Sequence, residues 1–235
     1  MITEANGIVA REIMTIIVLN FKTYRESTGT EALRLAEICE DISQDYSVQV
    51  VVAPQVADIQ AISKAVKIPV YAQHVDGVGY GGFTGHVTAP SLKAAGAAGS
   101  LINHSERRLR LADIEASITA ARQSGLKTIV CTNNVATTRA SAALEPDYVA
   151  VEPPELIGSG IPVSKANPLV VSQSVDAVKS IAPGVGVLCG AGITHGEDLR
   201  SALELGSIGV LLASGIIKAK DQRRALEDLV TGARK

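Results

Sequence analysis

Eight short runs of β-branched and apolar residues recur along the chain, each followed by a longer stretch of helical period, and this alternation constrains the fold more than any other feature. The runs occupy residues 13–20, 48–53, 68–74, 99–104, 128–132, 148–152, 185–189 and 209–213. Their near-continuous apolarity suits strands buried on both faces, the condition of a parallel sheet covered by its own crossover helices. Between the runs, residues 30–38 place Leu33, Ala36 and Ile38 on or near one helix face, and Glu197 and Asp198 give residues 197–203 an acidic start. Gly125, Gly184 and Gly206 follow helical stretches, where a residue tolerating positive φ ends the helix. No linker, low-complexity tract or composition shift divides the chain, so the pattern predicts one α/β domain, a closed (β/α)₈ barrel over residues 13–235. An open doubly wound sheet is the alternative, but no GxGxxG follows the first run. Residues 1–12 form an N-terminal extension to which no role is assigned.

Composition excludes several functions. The chain has 235 residues, 46% of them hydrophobic and 20% charged, enough apolar material for a sizeable core. A formal charge of -2 and the lack of a long basic stretch leave no electrostatic footprint for nucleic acid. An aromatic content of 3% without tryptophan offers little for stacking bases or sugar rings. No apolar stretch approaches the roughly 20 residues that span a bilayer, and the first residues lack a signal-peptide pattern, so a cytosolic location is expected. Cys39, Cys131 and Cys189 are far apart and set in apolar runs, which predicts buried free thiols rather than disulfides or a CxxC metal site.

Polar residues interrupt the pattern at one end of the runs. The first ends in Asn20-Phe21-Lys22, the third in Gln73-His74-Val75-Asp76, the fourth in Asn103-His104-Ser105-Glu106-Arg107-Arg108 and the sixth in Glu152-Pro153-Pro154-Glu155. In a (β/α)₈ barrel these carboxyl-terminal strand ends surround the active site. Proton transfer beside a carbonyl needs a carboxylate to remove the proton and a donor to stabilise the oxyanion. Glu152 and His104 can supply both functions, since strands four and six lie close enough across the mouth to reach one small substrate. Taken singly, Glu152 also reads as a solvated or lysine-paired strand-end carboxylate, and His104 as a hydrogen-bonded core histidine.

Two glycine-rich segments, residues 189–194 and 212–215, follow the seventh and eighth runs, where barrels hold a phosphate on backbone amides. Tight turns are the plainer reading of either alone. Residues 153–160, with Pro153 and Pro154 before Glu155 and Leu156 and with Gly158, Ser159 and Gly160 at the end, have the stiff start and glycine hinge of a lid. A lid would keep water from an enediol phosphate, which otherwise eliminates its phosphate. A rigid surface loop is the alternative.

Together, Asn20-Phe21-Lys22, residues 103–108, residues 151–160 and residues 209–215 resemble the triosephosphate isomerase family, in order and from about residue 13 onward. The resemblance implies interconversion of dihydroxyacetone phosphate and D-glyceraldehyde 3-phosphate through an enediolate, a step of glycolysis and gluconeogenesis. It assigns the base to Glu152 and the neutral electrophile to His104, a pairing already known for this family. It implies that Lys22 holds the substrate and supports the oxyanion, with Asn20 hydrogen-bonding nearby. It implies that Ile157, Gly192, Ala213 and Ser214 turn their amides to the phosphate, and that Glu106, with Ser105, supports the site by positioning Lys22. No metal or organic cofactor is implied.

The Pro-Pro-Glu-Leu lid, the Thr84-Gly85-His86-Val87 loop with His86 at a usually acidic position, and short outer helices after the fourth to sixth runs depart from the bacterial and eukaryotic pattern. They look like the compact archaeal branch, whose members are typically tetramers, so a homotetramer is expected, with a dimer as the alternative. Three competing readings stay open on the residues. They are a Schiff-base aldolase using Lys22, a silent sugar-phosphate binder, and a metal hydrolase using His74, Asp76 and His104.

Overall fold

In the computed structural model, residues 14–158 and 160–233 are described; the predicted extension at 1–12 and Ser159 of the lid lie outside them. The strands are β1 (Ile16–Asn20), β2 (Gln49–Ala53), β3 (Tyr71–Ala72), β4 (Gly99–Ile102), β5 (Lys127–Thr132), β6 (Tyr148–Val151), β7 (Gly186–Gly190) and β8 (Gly209–Leu212). All pair in parallel in the order β2-β1-β8-β7-β6-β5-β4-β3. A parallel bridge from Val52 to Val70 joins the two ends of that order, with the Val52 N–H donating to the Pro69 carbonyl at 3.1 Å. The sheet is therefore a barrel, and every strand ends on the same side.

The principal helices are α1 (Thr30–Tyr46), α2 (Ile59–Ala65), α3 (Ala89–Ala94), α4 (Leu111–Gln123), α5 (Val135–Ala142), α6 (Val163–Ala166), α7 (Pro168–Ile181), α8 (Gly196–Glu204), α9 (Ser214–Ile217) and α10 (Gln222–Thr231). Strand residues alternate between two cores. Ile16, Val18, Val51, Leu101, Ile129, Cys131, Ala150, Leu188 and Leu211 fill the barrel interior. Their neighbours Ile17, Leu19, Val50, Val52, Ile102, Val130, Val151 and Cys189 pack outward under the helices. Each fully buried Leu, Ile or Val contributes about 1.5–3 kcal/mol, and this double burial is why the strands read as continuous apolar runs.

Four expectations are corrected. The third run is far shorter as a strand, because Pro69 has no N–H for a ladder before Tyr71, and beyond Ala72 the Ala53 carbonyl accepts from the Gln73 side-chain amide and the Phe21 N–H rather than from the β3 backbone. The buried face of α1 is centred on Ala32, Leu35, Ala36, Cys39 and Ile42, which leaves Leu33 and Ile38 half-buried at its margins. Gly125 and Gly206 adopt φ of 65° and 92°, whereas Gly184 has no positive φ and sits in a turn closed by Val185 N–H to the Ala182 carbonyl. Of the outer helices expected to be short, α5 has 8 residues, but α4 has 13 and the α7 that follows β6 has 14. No helix among the described residues is long and apolar enough to cross a membrane.

Candidate active site

The two-residue alternation that fills the barrel decides which side chains reach its mouth. On β1, Ile16 and Val18 point inward, so Asn20 continues that column to the rim, where it is 3% exposed. On β6, Ala150 points inward and Glu152, two residues on, rises beside it at 4% exposure. His104 breaks the rule, since it shares parity with Ile102, which faces the helices. Asn103 resolves this with a left-handed backbone, φ 62°, that re-aims the next residue into the mouth. The turn is held on three sides. Asn103 Nδ2 donates to the Cys131 carbonyl at 2.9 Å, its Oδ1 accepts the Leu109 N–H at 2.8 Å, and its carbonyl accepts from Arg108 at 3.1 Å.

His104 and Glu152 meet across the mouth, with Nε2 and Oε2 3.8 Å apart. The Glu106 N–H donates to His104 Nδ1 at 3.3 Å, which in a neutral imidazole leaves the proton on Nε2, the nitrogen facing Glu152. Glu152 Oε2 is buried and has no hydrogen-bond partner among the described residues. An unpaired buried acceptor is costly and marks a position kept for something other than stability. Burial raises the Glu152 carboxyl above its ordinary range, offset in part by His104, the Cys131 thiol, Lys22 and Arg108. Gly190 on β7 makes room for this carboxylate: a methyl group there would overlap the Glu152 side chain.

Lys22 also has a left-handed backbone, φ 48°. Asn20 Oδ1 accepts its N–H at 3.0 Å, and Gln73 Nε2 donates to its carbonyl at 2.9 Å. Its side chain is 10% exposed, and its ammonium lies 3.0 Å from Oε1 of the largely exposed Glu106. One cavity of about 220 Å³ is lined by Asn20, Lys22, His104 and Glu152 together with Ile157, Gly192, Ala213 and Ser214. Gly158 and Gly160 join that lining, each at φ 74°. Ser105 and Glu106 stand outside it, as do Pro153, Pro154, Glu155 and Leu156, the last three forming a 3₁₀ turn.

Residues proposed for metal ligation are otherwise engaged. His74 Nε2 lies 2.9 Å from Asp76 Oδ1, and Asp76 Oδ2 accepts the Val87 N–H at 2.7 Å. Burial lowers the His74 imidazole below its ordinary value despite Asp76; burial would raise the Asp76 carboxyl, but hydrogen bonds from His74 and Val87 hold it low. Among the described residues, no group of three His, Cys, Asp or Glu side chains is arranged to hold a metal ion. All three cysteines are free and buried, and burial raises the Cys189 thiol to about 12. Gln73, Cys131 and Gly190 were not singled out from the sequence as site residues. Only the polar break at Gln73 and the glycine-rich run around 190 hinted at two of them.

A family model for triosephosphate isomerase matches residues 15–232. A protein of Methanococcoides burtonii named triosephosphate isomerase is 65% identical over 92% of this chain and 98% of its own. Proteins of the same name from Methanothermus fervidus and Methanocaldococcus jannaschii are 60% and 56% identical, over 92% and 82% of this chain and 97% and 88% of theirs. A crystal structure of triosephosphate isomerase from Bartonella henselae superposes with a TM-score of 0.76 at 19% identity, covering 94% of this chain and 99% of that one, which shows the shared fold.

Proposed function

The chain belongs to the triosephosphate isomerase family, in its archaeal branch, and from that premise we propose that Glu152 and His104 carry out the interconversion of dihydroxyacetone phosphate and D-glyceraldehyde 3-phosphate. Glu152 removes the proton from the carbon beside the carbonyl, and the His104 Nε2–H stabilises the enediolate oxygen. A proton passes from the hydroxyl of the enediolate to its neighbouring oxygen, with His104 as the donor and acceptor between them, and return of the carbon-bound proton from Glu152 to the neighbouring carbon completes the isomerisation. A desolvated carboxylate is a stronger base than a hydrated one, which is the use of burying Glu152. Lys22 offsets the charge of the dianion and of the oxyanion, with Asn20 beside it and Glu106 setting its position. The amides of Ile157, Gly192, Ala213 and Ser214, with the Ser214 hydroxyl, hold the phosphate, and residues 153–160 act as the lid.

What carries this reading is the gathering of these eight lining residues around one cavity whose two reacting groups lie 3.8 Å apart. At about 220 Å³ the cavity is below the ~300–1,000 Å³ typical of larger ligands and suits a three-carbon guest. The experiment is a coupled assay converting glyceraldehyde 3-phosphate to dihydroxyacetone phosphate on metal-free protein. Glu152→Gln should lower kcat by at least about 10³-fold while KM changes little. A variant with near-normal kcat would remove Glu152 from the role of base.

Two coarser features accompany this reading. The loop after β3 presents Tyr80 at 90% exposure, with Phe83 edge-on to the exposed His86. An exposed aromatic tip supports a homo-oligomer, with a tetramer as the expected state, which sedimentation would decide. Three free cysteines accord with a reducing, cytosolic compartment.

A further inference from the structure

One buried carboxylate joins the phosphate-side turn to the segment that leaves the lid. Asp198, 5% exposed, stands in the first turn of α8. Its Oδ2 accepts the N–H groups of Thr194 and His195, each at 3.0 Å, and so fixes the turn that carries Gly192 to the cavity. Its Oδ1 lies 3.3 Å from Nζ of Lys165 on α6, just beyond the lid, and Lys165 also reaches Glu197 Oε2 at 3.1 Å. Two more contacts tie the same segments. The Val163 N–H donates to the Ala191 carbonyl at 3.3 Å, and Gly192 packs so closely on the Ile161 carbonyl that a methyl group would overlap it.

The Lys165–Glu197 pair is solvent-exposed and contributes little to stability. The Lys165–Asp198 pair differs, because Asp198 is buried and its charge is compensated by two amides on one oxygen and an ammonium beside the other. Removing the ammonium leaves that carboxylate half-compensated, and the disturbance falls on the phosphate-side turn and on the lid's exit together. At its other end the lid begins directly after Glu152. A substrate phosphate that settles on Gly192 can therefore act on the position of the base through this connection.

We propose that Lys165 and Asp198 are positioning residues for the isomerisation, holding the lid's exit in register with the phosphate-side turn so that phosphate binding energy is used to place Glu152. This rests on the function assigned above. The test compares glyceraldehyde 3-phosphate with D-glyceraldehyde, which has the same carbonyl but no phosphate and is followed by solvent deuterium incorporation. Lys165→Met should lower kcat/KM for the phosphorylated substrate about tenfold, leave exchange into glyceraldehyde within about twofold, and be rescued by Lys165→Arg. Asp198→Asn keeps an acceptor for the two amides and should show the same selective loss, which covers the case of a poorly folding Lys165 variant. Unchanged turnover of glyceraldehyde 3-phosphate in both charge-removing variants, or an equal fall with both substrates, would overturn the positioning role. An intact chain without isomerase activity would overturn the functional assignment instead.

Discussion

The two sides of the barrel mouth are built from different parts of the polypeptide. On the β4–β6 side the groups proposed for proton transfer are side chains, His104 and Glu152, each fixed from behind by neighbouring strands: Asn103 bonds β5 through the Cys131 carbonyl, and the Glu152 N–H donates to the Thr132 carbonyl at 2.7 Å. On the β7–β8 side the groups assigned to phosphate are backbone amides, and the side chains there are small, as at Gly192, Ala213 and Ser214. Proton transfer requires functional groups with particular acidities, so residue identity matters on the first side. An anion cradle requires N–H groups and close approach, so on the second side the absence of a side chain matters more than any identity.

The sharpest way to break this contrast is His104→Gln, which should lower kcat about 10²–10³-fold with little change in KM. A fall expressed mainly in KM would mean that the β4 side binds more than it reacts. Gly190→Ala comes next, because it places a methyl group against Glu152 although it sits on β7. Displacing the base by a fraction of an ångström to about an ångström should cost up to about 10²-fold in kcat, with inhibition by inorganic phosphate unchanged. Gly192→Ala, two residues on, has φ 71° and would crowd the Ile161 carbonyl. It should raise KM for glyceraldehyde 3-phosphate about tenfold and weaken phosphate inhibition in parallel. If both glycine variants lost kcat alone, the division between chemistry and phosphate binding would collapse.

The smallest effect concerns stability. Because burial raises the Glu152 carboxyl above its ordinary 4.5, its favourable contribution to folding is complete below 4.5 and is lost as pH rises through the raised folded value. Glu152→Gln should therefore melt at a higher temperature than the parent at pH 7, and the gap should close as pH falls to 4.5 and below. For the same reason the acid limb of kcat/KM should lie above 4.5, since the base must be ionised. A variant that melts lower at neutral pH would show that the carboxylate stabilises the fold rather than straining it.

Much of this molecule could be read from the chain. Seven of the eight runs hold strands close to their expected bounds, and Asn20, Lys22, His104, Glu152 and parts of the glycine-rich segments after the last two strands line one cavity. The shortness of β3 and the bracing of Lys22 were not legible, because both depend on Gln73 reaching across to the Ala53 and Lys22 carbonyls from a distant part of the sequence. Gly190 reads as a turn glycine until Glu152 is seen above it. Asp198 reads as a helix-start carboxylate, which it is, while its second oxygen meets a lysine 33 positions earlier.

Local chemistry and periodicity by themselves determined the strand count and the end of the strands on which polar groups collect, since hydrophobic alternation and strand-end polarity are written residue by residue. Only the tertiary structure decided the facing of His104, the hydrogen bond from the Glu106 N–H to its Nδ1, and the burial of Glu152 Oε2 without a hydrogen-bond partner among the described residues. Each of these depends on desolvation and hydrogen bonding from segments far apart in sequence, and such terms come into being only when barrel closure brings those segments together.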